Sequence, residues 1–174
     1  MADLTFNTTP GQTIERNLLL LFLNTGTAEV PVWSVIGKRV EDSSAEYDWS
    51  RESKTDILGS VWTTMKKPII TQSFDPCELD ASDNAQVKLW NLGVKEQNPA
   101  ALANLDMLVV HCYAGEVNKS MFAERYSASS VEPTGLGGAS NIGMPITVTF
   151  GGTRTVGTVE MAAGVPTFTA DTAA

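Results

Sequence analysis

Chemistry-bearing residues are scarce in this 174-residue chain. It has two cysteines, Cys77 and Cys112, which form no C-x-x-C pair and match no zinc spacing. A disulfide framework is excluded, and the simplest reading is two buried thiols. It has a single histidine, His111, inside an apolar run beside Cys112. Neighbouring strand residues point to opposite faces, so these two cannot form a nucleophile–base pair, and His111 reads as a packed or hydrogen-bonded structural residue. Basic residues are few as well: 12 Lys and Arg face 20 Asp and Glu, for a net charge of −8. That balance argues against a basic nucleic-acid-binding face. The longest apolar run, Leu18 to Leu23, is far shorter than the roughly 20 residues a membrane helix needs, and Glu15 and Arg16 before it do not make a signal-peptide n-region. The expectation is a soluble protein with no membrane insertion, and the sequons at Asn7 and Asn118 carry no meaning without export.

Other motifs fail on spacing. Gly135-Leu136-Gly137-Gly138 lacks the lysine of a phosphate loop and opens no helix. Asp75, Glu78, Asp80 and Asp83 do not have the spacing of a calcium loop and read as helix capping plus a solvated acidic face. No cofactor, metal or catalytic set emerges, and the chain is read as a non-enzyme. Trp33, Trp49, Trp62 and Trp90 raise the idea of a sugar platform. Trp90, however, sits at helical spacing with other apolar residues, which favours the core, whereas Trp49 and Trp62 flank an acidic segment as surface anchors for a protein contact.

What the chain does contain is Thr, Ser, Gly and period-two alternation, which favour strands and tight turns. Alternating runs occur at 45–49, 146–150 and around Trp33 to Ile36. Leu18–Leu23 and Met107–Val110 are apolar on both faces and predict central strands covered on both sides. Gly151-Gly152 after Phe150 predicts a hairpin into a run from Thr153, and Pro166 in Val165–Thr169 predicts a final edge strand. One helix is expected over about 81–97, with Asp80 as cap, Asp83 three residues on, and Val87, Trp90 and Val94 repeating at helical spacing. Residues 41–60 hold Glu41, Asp42, Glu46, Asp48, Glu52 and Asp56 against Arg51 and Lys54 only, and predict a projecting hairpin or loop. Gly135, Gly137 and Gly138 mark a flexible loop between two strands, and residues 170–174 a flexible tail on a single domain spanning 1–174.

The order of these segments resembles the major tail (tail tube) proteins of long-tailed phages. The likeness runs through Leu18-Leu-Leu-Leu-Phe-Leu-Asn24-Thr-Gly-Thr, Pro31-Val-Trp33-Ser-Val-Ile-Gly37 and the run containing Tyr47. It continues through Tyr126 to Val131, the Gly135–Gly138 loop, Pro145 to Gly152, Gly157-Thr-Val and Pro166-Thr-Phe168-Thr. It covers roughly residues 17 to 170, each piece being a strand–turn pattern.

The resemblance implies a mainly β fold, a β-sandwich or open barrel with one flanking helix. It implies six subunits per ring, whose strands join into one large barrel around a channel, with rings stacked around a tape-measure protein. Tail terminator and distal tail or baseplate proteins would bound the tube, and double-stranded DNA would pass through without sequence-specific binding. The protein would then be a virion component assembled in the host bacterial cytoplasm. Glu46, Tyr47, Asp48, Trp49, Arg51, Lys54, Ile57, Leu58, Val61 and Trp62 are the ring-stacking candidates, and Trp90 the candidate for an inter-subunit helix contact. Six copies carry a net charge on the order of −48, which would repel passing phosphate. Two other readings stay open: the tube of a contractile tail, a phage-tail-like bacteriocin or a type VI secretion system; and a β-sandwich receptor- or carbohydrate-binding module.

Overall fold

The computed structural model describes residues 4–171, and its architecture is mainly β. The strands are β1 (Leu19–Asn24), β2 (Trp33–Ile36), β3 (Ala45–Asp48), β4 (Glu52–Thr55), β5 (Val61–Thr64), β6 (Ile69–Phe74), β7 (Leu105–Glu116), β8 (Ser120–Pro133), β9 (Ile146–Phe150), β10 (Arg154–Ala162) and β11 (Val165–Ala170). Helices α1 (Asn84–Trp90) and α2 (Pro99–Leu102) lie between β6 and β7, separated by a π-helical turn at Asn91–Lys95. Nine strands form one antiparallel sheet, and β4 with β5 forms a separate two-stranded ribbon.

The two doubly apolar runs sit in the middle, as expected. β1 lies between β2 and β7, and β7 between β1 and β8. Alternation sends their side chains to two separate clusters. Leu21, Leu23 and Met107 face a core closed by Ala85 and Leu89 of α1 together with Ile146 and Val148 of β9. Phe22, Leu108 and Val110 face a second core with Met121, Ala123 and Val159. Leu23, Met107, Leu108 and Val110 are fully buried, and each contributes about 1.5–3 kcal/mol of burial free energy. β11 approaches β2 across the second core without pairing to it, so β2-β1-β7-β8-β10-β11 curl into an open barrel.

The hairpin predicted at Gly151-Gly152 is absent, because β9 and β10 do not pair with each other. Both run antiparallel to β8 in series: β9 opposite Ser130–Pro133 and β10 opposite Met121–Tyr126. They are two halves of one strand broken at 151–153, where Thr153 N donates to Ser127 Oγ at 3.0 Å. Gly152 has φ +71, and a Cβ there would lie 2.6 Å from Ala128 N. Glycine is required here by a left-handed backbone pressed against β8, not by a turn.

The helix is shorter than 81–97. Its N-cap is Asp83 rather than Asp80: the Asp83 carboxylate accepts from Ala85 N and Gln86 N at 3.0 and 3.2 Å. Asp80 instead closes a turn on Ser82. The buried residues of α1 are Ala85, Gln86 and Leu89, with Ala85 and Leu89 forming its apolar stripe. At 100° per residue Val87 lies about 200° and Trp90 about 140° round from Ala85, so both face outward. Trp90 is 37% exposed, which corrects its expected place in the core. Gly93 lies against Pro133 of β8, where a Cβ would come within 2.6 Å of the ring.

β11 pairs only with β10 and is an edge strand, as Pro166 implied. Ala170 completes it opposite Gly157, and Asp171 N donates to Val156 O at 3.0 Å. The rest of the expected tail, 172–174, lies outside the described residues.

Candidate assembly interface

The segment predicted to project over 41–60 divides in two. Glu46, Tyr47 and Asp48 belong to β3, paired with β6 at the margin of the main sheet. The projecting element is an arm over 49–68 centred on the β4–β5 ribbon. Among the described residues, every hydrogen bond of Arg51–Met65 stays within 48–66; Lys66 N, for example, donates to Trp49 O at 3.0 Å and closes the base. Asp56 shapes the tip, its Oδ1 accepting from Leu58 N and Ser60 N, both at 2.8 Å. Ile57 and Leu58 are thereby held out at 101% and 85% exposure. Lys54 pairs across the ribbon with Trp62, and Val61 with Thr55. At the root, Tyr47 and Trp49 stack with ring centroids 6.4 Å apart.

Seven of the ten stacking candidates lie on this arm, and the other three, Glu46, Tyr47 and Asp48, lie on the adjoining strand β3. Lys66, Lys67 and the exposed Met65 also belong to the arm and fell outside the predicted segment. The missed signal was Asp56-Ile-Leu-Gly59, a turn sequence that marks the centre of a hairpin rather than its end.

Recentring reverses the sign of the arm. Residues 49–68 carry Arg51, Lys54, Lys66 and Lys67 against Glu52 and Asp56, a net +2. The remaining residues carry 8 cations and 18 acids, a net −10. The arm is a basic, apolar-tipped projection on an acidic body.

The other candidates lie elsewhere. Trp90 is on α1, beside a groove of about 370 Å³ lined by Leu79, Asp80, Ala81, Val87 and Asn91 among others. Gly135, Gly137 and Gly138 are in the loop joining β8 to β9. There Gly137 and Gly143 exchange backbone hydrogen bonds at 3.0 and 2.7 Å, and Asn141 donates to Glu78 at 2.9 Å. The loop is therefore closed on itself and tied to the segment before α1.

His111 is hydrogen-bonded at both ring nitrogens: Nε2 lies 3.1 Å from Glu124 Oε1 and Nδ1 2.7 Å from Tyr113 Oη. A neutral imidazole satisfies both by donating from Nε2 and accepting at Nδ1. Glu124 also accepts from Tyr126 Oη and Arg154 Nε, each at 2.7 Å. Burial alone would raise its pKa, but the His111, Arg154 and Tyr126 donors outweigh burial and hold it at about 2. Burial and the hydrogen bond to Glu124 push Tyr126 up. Cys112 packs against the second core, on the face away from this cluster, and neither cysteine is in a disulfide. The arrangement fixes β7, β8 and β10 to one another and leaves His111 no free nitrogen for acid–base work.

No family model matches the chain, and no curated protein matches it. Among solved structures, the chain is similar to one in the cryo-EM structure of an extracellular contractile injection system, the PVC sheath–tube complex in its extended state. That likeness has 9% identity and a TM-score of 0.48, and covers 84% of this chain and 93% of that one. It is also similar to a chain in the cryo-EM structure of the anti-feeding prophage cap, the AFP tube-terminating cap, at 14% identity and a TM-score of 0.47 over 87% of this chain and 95% of that one.

Proposed function

We propose that this chain is a structural, non-enzymatic subunit of a tail tube, a single domain over 1–174 that joins its own copies into rings of six and stacks the rings around a channel. The observation that carries this reading is the β4–β5 arm. It is a ribbon that its own fold leaves exposed, tipped with Ile57 and Leu58, and an isolated two-stranded ribbon is marginal in water without a surface to pack on. A second copy supplies that surface. The sheet also ends in open edges at β2, β3 and β11, which ring closure would cover. The resemblance of its segment order to long-tailed phage tube proteins points the same way.

In this reading the tube surrounds a tape-measure protein, is bounded by terminator and distal tail or baseplate proteins, and later passes double-stranded DNA. The assembly belongs to a virion built in the host cytoplasm. A groove of about 320 Å³ against β3, β6 and β9 is lined by Asp42, Glu46 and Asp75 with Thr71, Ser73 and Thr147, and has no cation in its lining. Such a wall suits a channel past which phosphate slides without binding.

Negative-stain electron microscopy of the concentrated protein, with its chromatographic mass, tests the proposal. Rings or striated tubes with a central hole are expected. A lone monomer that binds a glycan array would overturn it in favour of a carbohydrate-binding module. A sheath gene beside this one would place the tube in a contractile machine.

A further inference from the structure

Among the apolar surfaces that the described residues leave open are a convex and a concave feature. The convex one is the arm tip, Ile57 and Leu58. The arm runs roughly 20 Å from its root at Ser50, at about 3.3 Å per strand residue. The concave one is the groove beside α1, where Leu79, Ala81, Val87 and Trp90 present apolar surface. Val87 and Trp90 are 41% and 37% exposed, although both are large apolar side chains on an ordered helix. Ile142, whose carbonyl accepts from Leu79 N at 2.8 Å, is a further exposed apolar residue in the adjoining loop.

The charges around the two features are opposite. The arm carries Arg51, Lys54 and Lys67, none in a salt bridge among the described residues, and Lys66, held only by an exposed 3.7 Å pair with Glu52. Asp80 lines the groove, and Glu78 lies two residues away. Among the described residues the ion pair here joins Asp80, part-exposed, to the exposed Arg39 at 3.7 Å, and a pair so long and open to solvent contributes little.

We infer that the arm tip of one copy seats in the α1 groove of a second copy, with Ile57 and Leu58 against Val87 and Trp90, and an arm cation beside Asp80. This rests on the tube reading and names the surface that receives the arm. Because donor and acceptor are different patches of one chain, the contact is heterologous, the kind that propagates into rings or filaments rather than closing as a dimer. Apolar contact supplies affinity, and the opposite charges set orientation.

The test uses two full-length proteins, each with one introduced cysteine, Leu58→Cys or Val87→Cys, in a Cys112→Ser background. They are mixed under mild oxidation and then viewed by electron microscopy. The expected result is a disulfide-linked dimer containing one chain of each kind, absent when either protein is oxidised alone, together with rings or tubes. Leu58→Asp in the otherwise unaltered chain should weaken assembly by on the order of ten- to a hundredfold, and Leu58→Met should restore it, with circular dichroism unchanged in both. Rings or tubes without the mixed disulfide overturn this contact and leave the tube reading standing. Neither assembly nor disulfide at any concentration overturns both.

Discussion

Arg154 Nε donates to Glu124 Oε2 at 2.7 Å, and with His111 and Tyr126 on the same carboxylate this one acid ties β10 and β7 to β8. Its ordinary pKa is 4.5 and its folded value about 2, so the folded value is the depressed one. The stabilisation is therefore complete above about pH 4.5 and is lost as pH falls toward 2. A shift of this size corresponds to at most about 3 kcal/mol. Glu124→Gln should cost on the order of 2 kcal/mol at pH 7 and progressively less below pH 4.5. Urea midpoints of the two proteins, measured side by side from pH 7 to pH 3, give this difference directly.

Gly152→Ala tests whether β9 and β10 are one broken strand. The substitution places a Cβ 2.6 Å from Ala128 N and 2.9 Å from Ala128 Cβ, on a backbone at φ +71. Strain and clash together should cost about 2 kcal/mol or more. A free hairpin turn would add only the left-handed strain of about 1 kcal/mol without the clash against β8, so a cost no larger than that in a denaturant titration would argue against the broken strand.

The helix cap gives a third prediction. Asp83→Ala should destabilise by about 1 kcal/mol and Asp80→Ala by less, because only Asp83 accepts from the first turn of α1. Equal thermal shifts for the two variants would contradict this assignment.

That pair of aspartates also shows where the sequence is legible. Acid at 80–83 before an apolar repeat announces a helix start, but a three-residue ambiguity between two Asp side chains is settled only by which one meets free N–H groups. The central strands were legible because Leu21, Phe22 and Leu23, like Met107 and Leu108, are apolar on both faces, and a strand covered on both sides has that pattern. The break at Gly151-Gly152 was not, since paired glycines look the same whether they reverse a chain or let it press against a neighbour. The outward face of Trp90 was hidden for another reason. Val87, Trp90 and Val94 repeat at helical spacing, yet Ala85 and Leu89 form the stripe that meets the core, and apolar residues on both sides of a short helix leave its orientation open. A projecting element was legible in the run of acids from Glu41 to Asp56, but its centre was not, because that centre is set by the turn at Asp56–Gly59, where Asp56 accepts from Leu58 N and Ser60 N.

The corrected centre makes the last prediction. A deletion of 44–58 would remove β3 along with half the arm and expose the edge of β6, so loss of assembly in that variant would be ambiguous. Replacing 51–64 by a short Gly-Ser link leaves β3 paired to β6 and removes only the ribbon, whose polar contact beyond itself among the described residues is the exposed 3.7 Å pair of Glu52 with Lys66. Thermal unfolding of that variant should stay within a few degrees of the parent, while rings and tubes should be lost. Because the arm is net +2 on a body of −10, assembly of the intact chain should also weaken as salt rises from about 0.05 to 0.5 M, as the screening length falls below the spacing of the paired charges. Sedimentation across that salt range, beside the shortened chain, separates the two contributions. A salt-insensitive assembly that still needs the arm would mean that Ile57 and Leu58 act without the cations.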